Sequence, residues 1–139
     1  MNKQDTIKEI AREIAIGNTC YVNRKSVKIT TIDYSIEDAE KLAVQEQTIA
    51  EIERKIEKYL KIGKLSAESE LRIMKDFPDE LPDKSIRKQL SNALNRKNPV
   101  RNFMQVIESD MELNQHWRNF KVEEYQRWVS NMMIEAYIY

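Results

Sequence analysis

A basic segment holds the most concentrated set of side chains in this sequence that could do chemistry. Between Leu81 and Gln105, six cations face one acid, Asp83, so six positive charges less one negative leave +5. Cations at this density could bind the phosphates of a nucleic acid or the carboxylates of an acidic protein. All six lie within residues 84–101: Lys84, Arg87, Lys88, Arg96, Lys97 and Arg101.

The basic segment also has a plainer interpretation, which we favour. Arg87 and Lys88 fall on the polar side of a predicted helix, where a solvated face normally carries charge. Five acids between residues 108 and 124 could neutralise the segment within the chain. A solvated or internally paired face, a nucleic-acid site and a site for an acidic protein are therefore three open interpretations.

The same segment approaches the spacing of a helix-turn-helix motif. Residues 83–96 and 99–108 are predicted as helices separated by a short turn, as that motif requires. The second helix is short and opens with Pro99, and its outward positions include the acid Glu108. These features make it a poor recognition helix, so we do not favour DNA reading by this motif.

Residues that commonly act in catalysis are scarce. His116 is the single histidine and has no serine or cysteine near it in a recognisable signature. The irregular spacing of neighbouring acids does not predict a metal site around it. Cys20 is the single cysteine, and its place on a predicted strand favours a small apolar role. We predict no catalytic residue, no metal ligand, no cofactor and no enzymatic activity.

Aromatic and large aliphatic side chains follow the apolar stripes of the predicted helices. Aromatic residues dominate the burial energy of small cores, so we expect these residues to pack inside rather than to stack on a ligand. The predicted core residues of the second half are Met74, Phe77, Leu90, Leu94, Phe103, Trp117, Phe120 and Trp128.

The composition is typical of a small globular domain. It has 139 residues, 41% of them apolar and 33% charged, and its net charge is zero. That length predicts a single domain over residues 1–139. We see no signal-type apolar core and no stretch of about 20 apolar residues that could span a bilayer. A lone cysteine also suits a reducing compartment, so we expect a cytoplasmic protein without a membrane partner.

The first half is predicted as a helix, a hairpin and a longer helix. Apolar spacing indicates a helix over residues 5–16, capped by Asp5 or Thr6 and ended by Gly17. Residues 19–22 and 27–32 favour strands and form a hairpin, so residues 1–34 make a helix plus a β-hairpin. Residues 35–62 are predicted as a long helix capped by Ser35, of which residues 35–48 could instead be a mobile connector.

The second half, residues 63–139, is predicted as a compact set of short helices. Ser66 caps the first, Asp83 opens the next, and Pro99 restarts the chain after Asn98. Trp117 marks a penultimate helix, and a separate final helix begins near residue 125. The fold class expected from the sequence is mainly α with a small N-terminal β-hairpin (α+β), arranged as an orthogonal bundle of short helices.

Several of these segments also carry a family resemblance. In order, they are Ile73-Met74-x-x-Phe77, Ala93-Leu94, Val100-Arg101-x-Phe103, Trp117-x-x-Phe120 and a closing helix. Their order and spacing resemble the bacterial uncharacterised protein family (UPF) numbered one-five-eight. Val100 departs from the phenylalanine usual there, and Met104 from the common lysine. The resemblance implies a fold and no activity.

These observations favour an interaction module over an enzyme. The C-terminal segment, residues 132–139, is rich in Met, Ile and Tyr, residue types favoured at protein interfaces. We expect this segment to dock on the N-terminal elements, with some contribution to self-association. The leading hypothesis is a non-enzymatic protein-interaction or regulatory module. The alternative is a nucleic-acid-associated protein that uses residues 84–101.

Overall fold

Six α-helices and one three-stranded antiparallel sheet make up the chain, which is 66% helical. The structure is a computed structural model and describes residues 1–139. The helices are α1 (Lys3–Ala15), α2 (Ala39–Arg54), α3 (Ala67–Asp76), α4 (Lys84–Leu94), α5 (Pro99–Glu108) and α6 (Met111–Glu135). The strands are β1 (Thr19–Asn23), β2 (Ile29–Ile32) and β3 (Tyr59–Ile62), and short 3-10 turns cover Ile56–Lys58 and Phe77–Glu80. The predicted class, mainly α with a small β component, is confirmed.

The residues divide into two units. Residues 1–64 and 125–139 form the first unit, and residues 65–124 form the second. The first unit contains the sheet with α1 and α2, and the second contains α3, α4 and α5. Helix α6 contributes residues to both units.

Helix α1 begins earlier than the sequence predicted. Asn2 is its cap, because its side-chain oxygen accepts a hydrogen bond from the Asp5 amide at 2.8 Å. The prediction of Asp5 or Thr6 as the cap is therefore wrong. The helix ends as expected at Gly17, whose φ of +96° suits glycine, and Asn18 N–H bonds back to the Glu13 carbonyl. Its buried stripe is Thr6, Ile7, Ile10, Ala11 and Ile14.

The sheet has β1 in its centre, with β2 and β3 on either side. The predicted hairpin of β1 and β2 is present, with Thr19 opposite Ile32 and Val22 opposite Ile29. Strand β3 was predicted as the end of a long helix, and that prediction is wrong. Residues 59–62 pair with β1 because the open edge of β1 supplies hydrogen bonds that local helical spacing does not reveal.

Helix α2 is capped by Asp38, three residues later than the predicted cap, Ser35. Ser35 cannot serve as its cap, because the Ser35 amide and hydroxyl both donate to the Asp33 carboxylate in a separate turn. Residues 39–54 are helical, and Ile52 is the fully buried residue of this helix. Ile52 packs with Tyr21 and Ile32 from one face of the sheet, supported by the partly buried Ile49 and Tyr59.

The second unit is built around an aromatic cluster. Phe77, Phe103 and Trp117 are buried, and their rings meet edge to face at centroid distances of 5.0–6.4 Å. Phe120 is partly buried and lies 5.3 Å from Phe77. The capping residues predicted from sequence hold here: Ser66 accepts the Ser69 amide, and the Asp83 carboxylate accepts two amides of α4. Of the other expected core residues, Met74 and Leu90 are buried, whereas Leu94 and Trp128 are partly buried.

Helix α6 replaces the two final helices that the sequence predicted. It runs unbroken for 25 residues from Met111, because no glycine or proline interrupts this stretch. The Asp110 carboxylate accepts the first free amides, from Glu112 and Leu113. At its far end Tyr137 takes a φ of +60°, and Ile138 N–H closes onto the Met133 carbonyl.

Candidate functional site

The six predicted cations lie on one helical hairpin, formed by α4, a four-residue turn and α5. From Lys84 through Ile107 the chain holds these six cations and no acid. Five of the six are exposed, and Arg87 is partly buried, with its guanidinium 3.9 Å from the Asp79 carboxylate. The other five make no ion pair, so the acids of residues 108–124 do not neutralise them by direct contact. Lys84, Lys88, Arg96, Lys97 and Arg101 are thus available to a ligand.

A polar cleft of about 440 Å³ lies between α4 and α5. Each helix contributes lining residues spaced i, i+3 and i+4, which lie on one side of that helix, and one further residue follows just beyond each helix end. Arg96 stands at the turn end of the α4 stripe, and the only apolar positions are the small floor residues Ala93 and Val106. The lining residues are Gln89, Asn92, Ala93, Arg96, Asn102, Gln105, Val106 and Ser109.

Most side chains of this cleft keep free hydrogen-bonding groups. Asn102 uses its amide nitrogen to donate to the Lys97 carbonyl at 2.7 Å, and Ser109 donates to Val106 at 2.6 Å. The carboxamides of Gln89, Asn92 and Gln105 have no partner within the protein. Three free carboxamides beside one guanidinium can recognise an anionic group that carries both donors and acceptors.

The structure thus separates the predicted cations into groups. Arg96 lines the cleft, while Lys88 and Arg101 lie four residues before the lining residues Asn92 and Gln105 on the same sides of their helices. Lys97 follows Arg96 in the turn. Arg87 turns towards Asp79 and takes no part in the cleft.

A second open surface lies along the outer edge of β2. The Asn23 amide donates to the Lys28 carbonyl at 2.9 Å, which makes these residues a hydrogen-bonded pair. Because such pairs alternate along an antiparallel ladder, Thr30 also bonds towards β1, whereas Ile29 and Thr31 direct their amide and carbonyl groups away from it. Two residues of β2 therefore present free backbone groups at the sheet edge.

This edge ends at Asp33. The Gln45 side chain accepts a hydrogen bond from the Asp33 amide at 3.0 Å and donates one to its carbonyl at 2.9 Å. The carboxamide thereby takes the place of a neighbouring strand at this one position. The free edge is limited to the two positions before it, Ile29 and Thr31.

A mainly apolar groove of about 560 Å³ runs beside the β2 edge. One wall is β2, and the other is the face of α2 that carries Glu40, Lys41, Val44, Gln45 and Thr48. Val44 points an apolar side chain into this space and is 66% exposed. An extended polypeptide in the groove could both bond to the edge and cover Val44.

The groups considered for catalysis are not assembled into a site. His116 is exposed on α6, and no group of three His, Cys, Asp or Glu side chains is placed to hold a metal ion. Cys20 is fully buried, and burial raises the pKa of its thiol to about 11. Thiolate, the reactive form, is therefore a minor species near neutral pH. No helix combines the length and apolar character needed to cross a membrane.

Sequence reasoning missed both open surfaces, for different reasons. The two polar stripes of the cleft are visible as regular spacing of Asn and Gln from Gln89 to Ser109, but only packing shows that they face each other. The β2 edge has no sequence signal, because it depends on β3 occupying the other side of β1 and on Gln45 reaching Asp33, 12 residues away.

The sequence model of the uncharacterised protein family UPF0158 matches residues 3–137. The match spans nearly all of the chain, so the chain belongs to this family and the predicted resemblance is confirmed. No curated protein and no solved structure matches the chain.

Proposed function

We propose that this member of UPF0158 is a non-enzymatic protein-interaction module that self-associates through β2. The proposal rests on the surfaces described above. The observation that carries the proposal is the pair of outward-facing backbone positions, Ile29 and Thr31, beside an open apolar groove. An exposed sheet edge of this kind is a template for pairing with another strand.

The spacing of these two positions is self-complementary. If two copies of β2 run antiparallel with Thr30 opposite Thr30 of the second copy, Ile29 of each copy lies opposite Thr31 of the other. Both pairs are then hydrogen-bonded pairs, and each exchanges two bonds, which gives four in all. This arrangement is a two-fold, isologous contact, the commonest symmetry of protein dimers.

The limits of the free edge fit the same pairing. At one end the Gln45 side chain is hydrogen-bonded to the backbone of Asp33. At the other end Val27 takes a φ of +60° and turns the chain away from the strand direction. No proline interrupts β2, and its charges lie just outside the strand, at Lys28 and Asp33. The edge thus offers the two positions that the two-fold contact uses and no more.

The energy expected from this contact is modest. Four backbone hydrogen bonds contribute about 2–6 kcal/mol in total after exchange with water. Covering Val44 and its apolar neighbours adds to this, and the entropy lost on association subtracts from it. We therefore propose a weak, reversible dimer that forms at high protein concentration.

The apolar C-terminal segment supports self-association less well than β2 does. Met133 is fully buried, Ile138 and Tyr139 bond to the Met133 carbonyl, and the Lys3 ammonium lies 5.0 Å from the Tyr139 ring. Much of this segment is thus engaged within its own unit. Tyr137, at 95% exposure, is the apolar side chain it leaves most open.

We also propose that the module works in the cytoplasm of a bacterium. The bacterial source follows the family resemblance, and the unpaired thiol of Cys20 supports a reducing compartment. Its role there would be regulatory or architectural, since the groups named above form no catalytic arrangement.

The proposal is tested by matched proline substitutions at the two sheet edges. Thr31→Pro removes an outward amide of β2, whereas Lys61→Pro removes an outward amide of β3 on the opposite edge. Sedimentation analysis over a concentration series should show dimers for the parent and Lys61→Pro and monomers for Thr31→Pro. Circular dichroism checks that all three are folded.

Two results would overturn the proposal. One is a parent protein that stays monomeric at the highest concentration reached. The other is a Thr31→Pro protein that is folded and dimerises as strongly as the parent.

A further inference from the structure

We infer that the cleft between α4 and α5 binds single-stranded nucleic acid. The inference stands on a different surface from the proposed function, and neither depends on the other. It rests on three features of one helical hairpin: segregated positive charge, free carboxamides, and a cleft with a small apolar floor.

Charge is strongly segregated along the chain. The whole chain is neutral, with 23 basic and 23 acidic residues, and residues 84–107 hold six cations and no acid. The remainder therefore carries a net charge of −6, from 17 cations and 23 acids. A positive hairpin on an otherwise acidic chain attracts polyanions to one place.

The carboxamides decide which kind of polyanion fits. Gln89, Asn92 and Gln105 each offer an NH₂ donor and a carbonyl acceptor that nothing in the protein uses. The carboxylates of an acidic peptide accept hydrogen bonds only, so they can pair with the NH₂ groups of these side chains but not with their carbonyl oxygens. Nucleobase edges present donors beside acceptors, and Asn and Gln are common partners of adenine.

Two further parts of the cleft suit a nucleotide: its small apolar residues suit the base, and its turn end suits a phosphate. Ala93 and Val106 are small, so a flat base can enter between the two polar stripes. Arg96 stands at the turn end, where its planar guanidinium can hold a phosphate through two hydrogen bonds. The volume of about 440 Å³ lies within the range of small-ligand sites.

Three further cations extend the site beyond the cleft. Lys88 and Arg101 flank its two walls, and Lys97 adjoins Arg96 in the turn. None of them is paired with an acid. Together with Arg96 they can contact about four phosphates. For a single strand, four such contacts give a slope of roughly −3 in a plot of log binding constant against log salt concentration, here called the salt slope.

The ligand is single-stranded rather than duplex. The polar groups line the space between two packed helices, and their carboxamides need base edges that pairing hides in a double helix. The outward face of α5 offers little for duplex reading, since it carries the apolar Val100 and the acid Glu108. Bases splayed from a single strand expose the edges that the carboxamides need.

The test is fluorescence anisotropy with labelled 12-nucleotide single strands of mixed sequence, one RNA and one DNA. We expect saturable binding of at least one strand, and an affinity that falls about 50-fold between 50 and 200 mM salt. A duplex of the same sequence should bind at least about tenfold more weakly. The RNA and DNA arms show whether the ribose 2′-hydroxyl contributes.

Variants separate the cleft from charge alone. Arg96→Ala should weaken binding about tenfold and lower the salt slope by about one. Asn92→Ala with Gln105→Ala should weaken binding by a similar factor and leave the salt slope unchanged. Arg72→Ala removes an exposed cation of the same unit, outside the hairpin, and should leave binding within about twofold.

Three results would overturn the inference. The first is an absence of binding to either strand at 50 mM salt. The second is full affinity in the Asn92→Ala, Gln105→Ala protein, which would reduce the hairpin to a nonspecific positive patch. The third is a poly-glutamate peptide that binds as tightly as the single strands, which would point to an acidic protein instead.

Discussion

At the scale of single residues, Cys20 shows how burial turns a reactive group into a packing group. Its side chain lies on β1 opposite Thr31, whose hydroxyl oxygen is 3.9 Å from the sulfur. Burial is the largest cause of its raised pKa, and the nearby acids Glu13 and Glu9 raise it further. The thiol is therefore held protonated at the pH of a cell.

We expect Cys20 to react with a disulfide reagent at pH 8 only as fast as the native protein opens. The native rate should lie far below the rate in denaturant, which serves as the reference. Rapid labelling of the native protein would contradict the buried position.

The same thiol predicts a pH dependence of stability. Its folded pKa is raised from an ordinary value of 9.0 to about 11, so the folded state holds the proton more tightly. The stabilisation of the folded state by this pKa shift is therefore complete below pH 9 and is lost as the pH rises towards 11. Denaturant unfolding of the parent and of Cys20→Ala should show a shallower decline for the variant over that range.

At the scale of elements, the turns differ in how well their residues suit the backbone. Gly17 ends α1 with a φ of +96°, a conformation that glycine adopts without cost. Val27 closes the β1–β2 hairpin with a φ of +60°, which is unfavourable for a β-branched residue. Its amide still bonds to the Asn23 carbonyl at 2.8 Å, so the surrounding hairpin holds it there.

Substitutions at these two turns should therefore change stability in opposite directions. Val27→Gly should raise the free energy of unfolding by about 1 kcal/mol, because the strain is relieved. Gly17→Ala should lower it by about 1 kcal/mol through backbone strain alone, since no atom lies within 4 Å of the added methyl group. Urea unfolding measures both. A destabilised Val27→Gly protein would show that the partly buried side chain contributes more by packing than it costs in strain.

The sequence predicted an element correctly where residues close together in the chain determine it. Ser66 and Asp83 cap their helices as expected because each contacts amides only two or three residues away. Strand β3 was missed because its hydrogen-bonding partner, β1, lies about 40 residues earlier. The prediction of two helices in place of α6 was wrong. A helix can change the side that faces the interior along its length without ending.

At the scale of the whole molecule, the candidate surfaces were harder to predict than the fold. The six cations were identified from sequence, yet the structure places only Arg96 among the residues that line the cleft and turns Arg87 towards Asp79. The β2 edge could not be predicted, since it depends on strand order and on the contact of Gln45 with Asp33. The first unit thus carries the sheet edge that we propose self-associates, and the second carries the cleft that we propose binds single-stranded nucleic acid.

Residue-resolved amide exchange by NMR can show whether β2 pairs with β2 of a second copy, as we propose. At low concentration the amides of Ile29 and Thr31 should exchange rapidly, and at high concentration they should become protected. The amide of Lys61, on the opposite edge, should not change with concentration. If Ile29 and Thr31 exchange at the same rate under both conditions while the protein dimerises, the dimer uses another surface and the account is wrong.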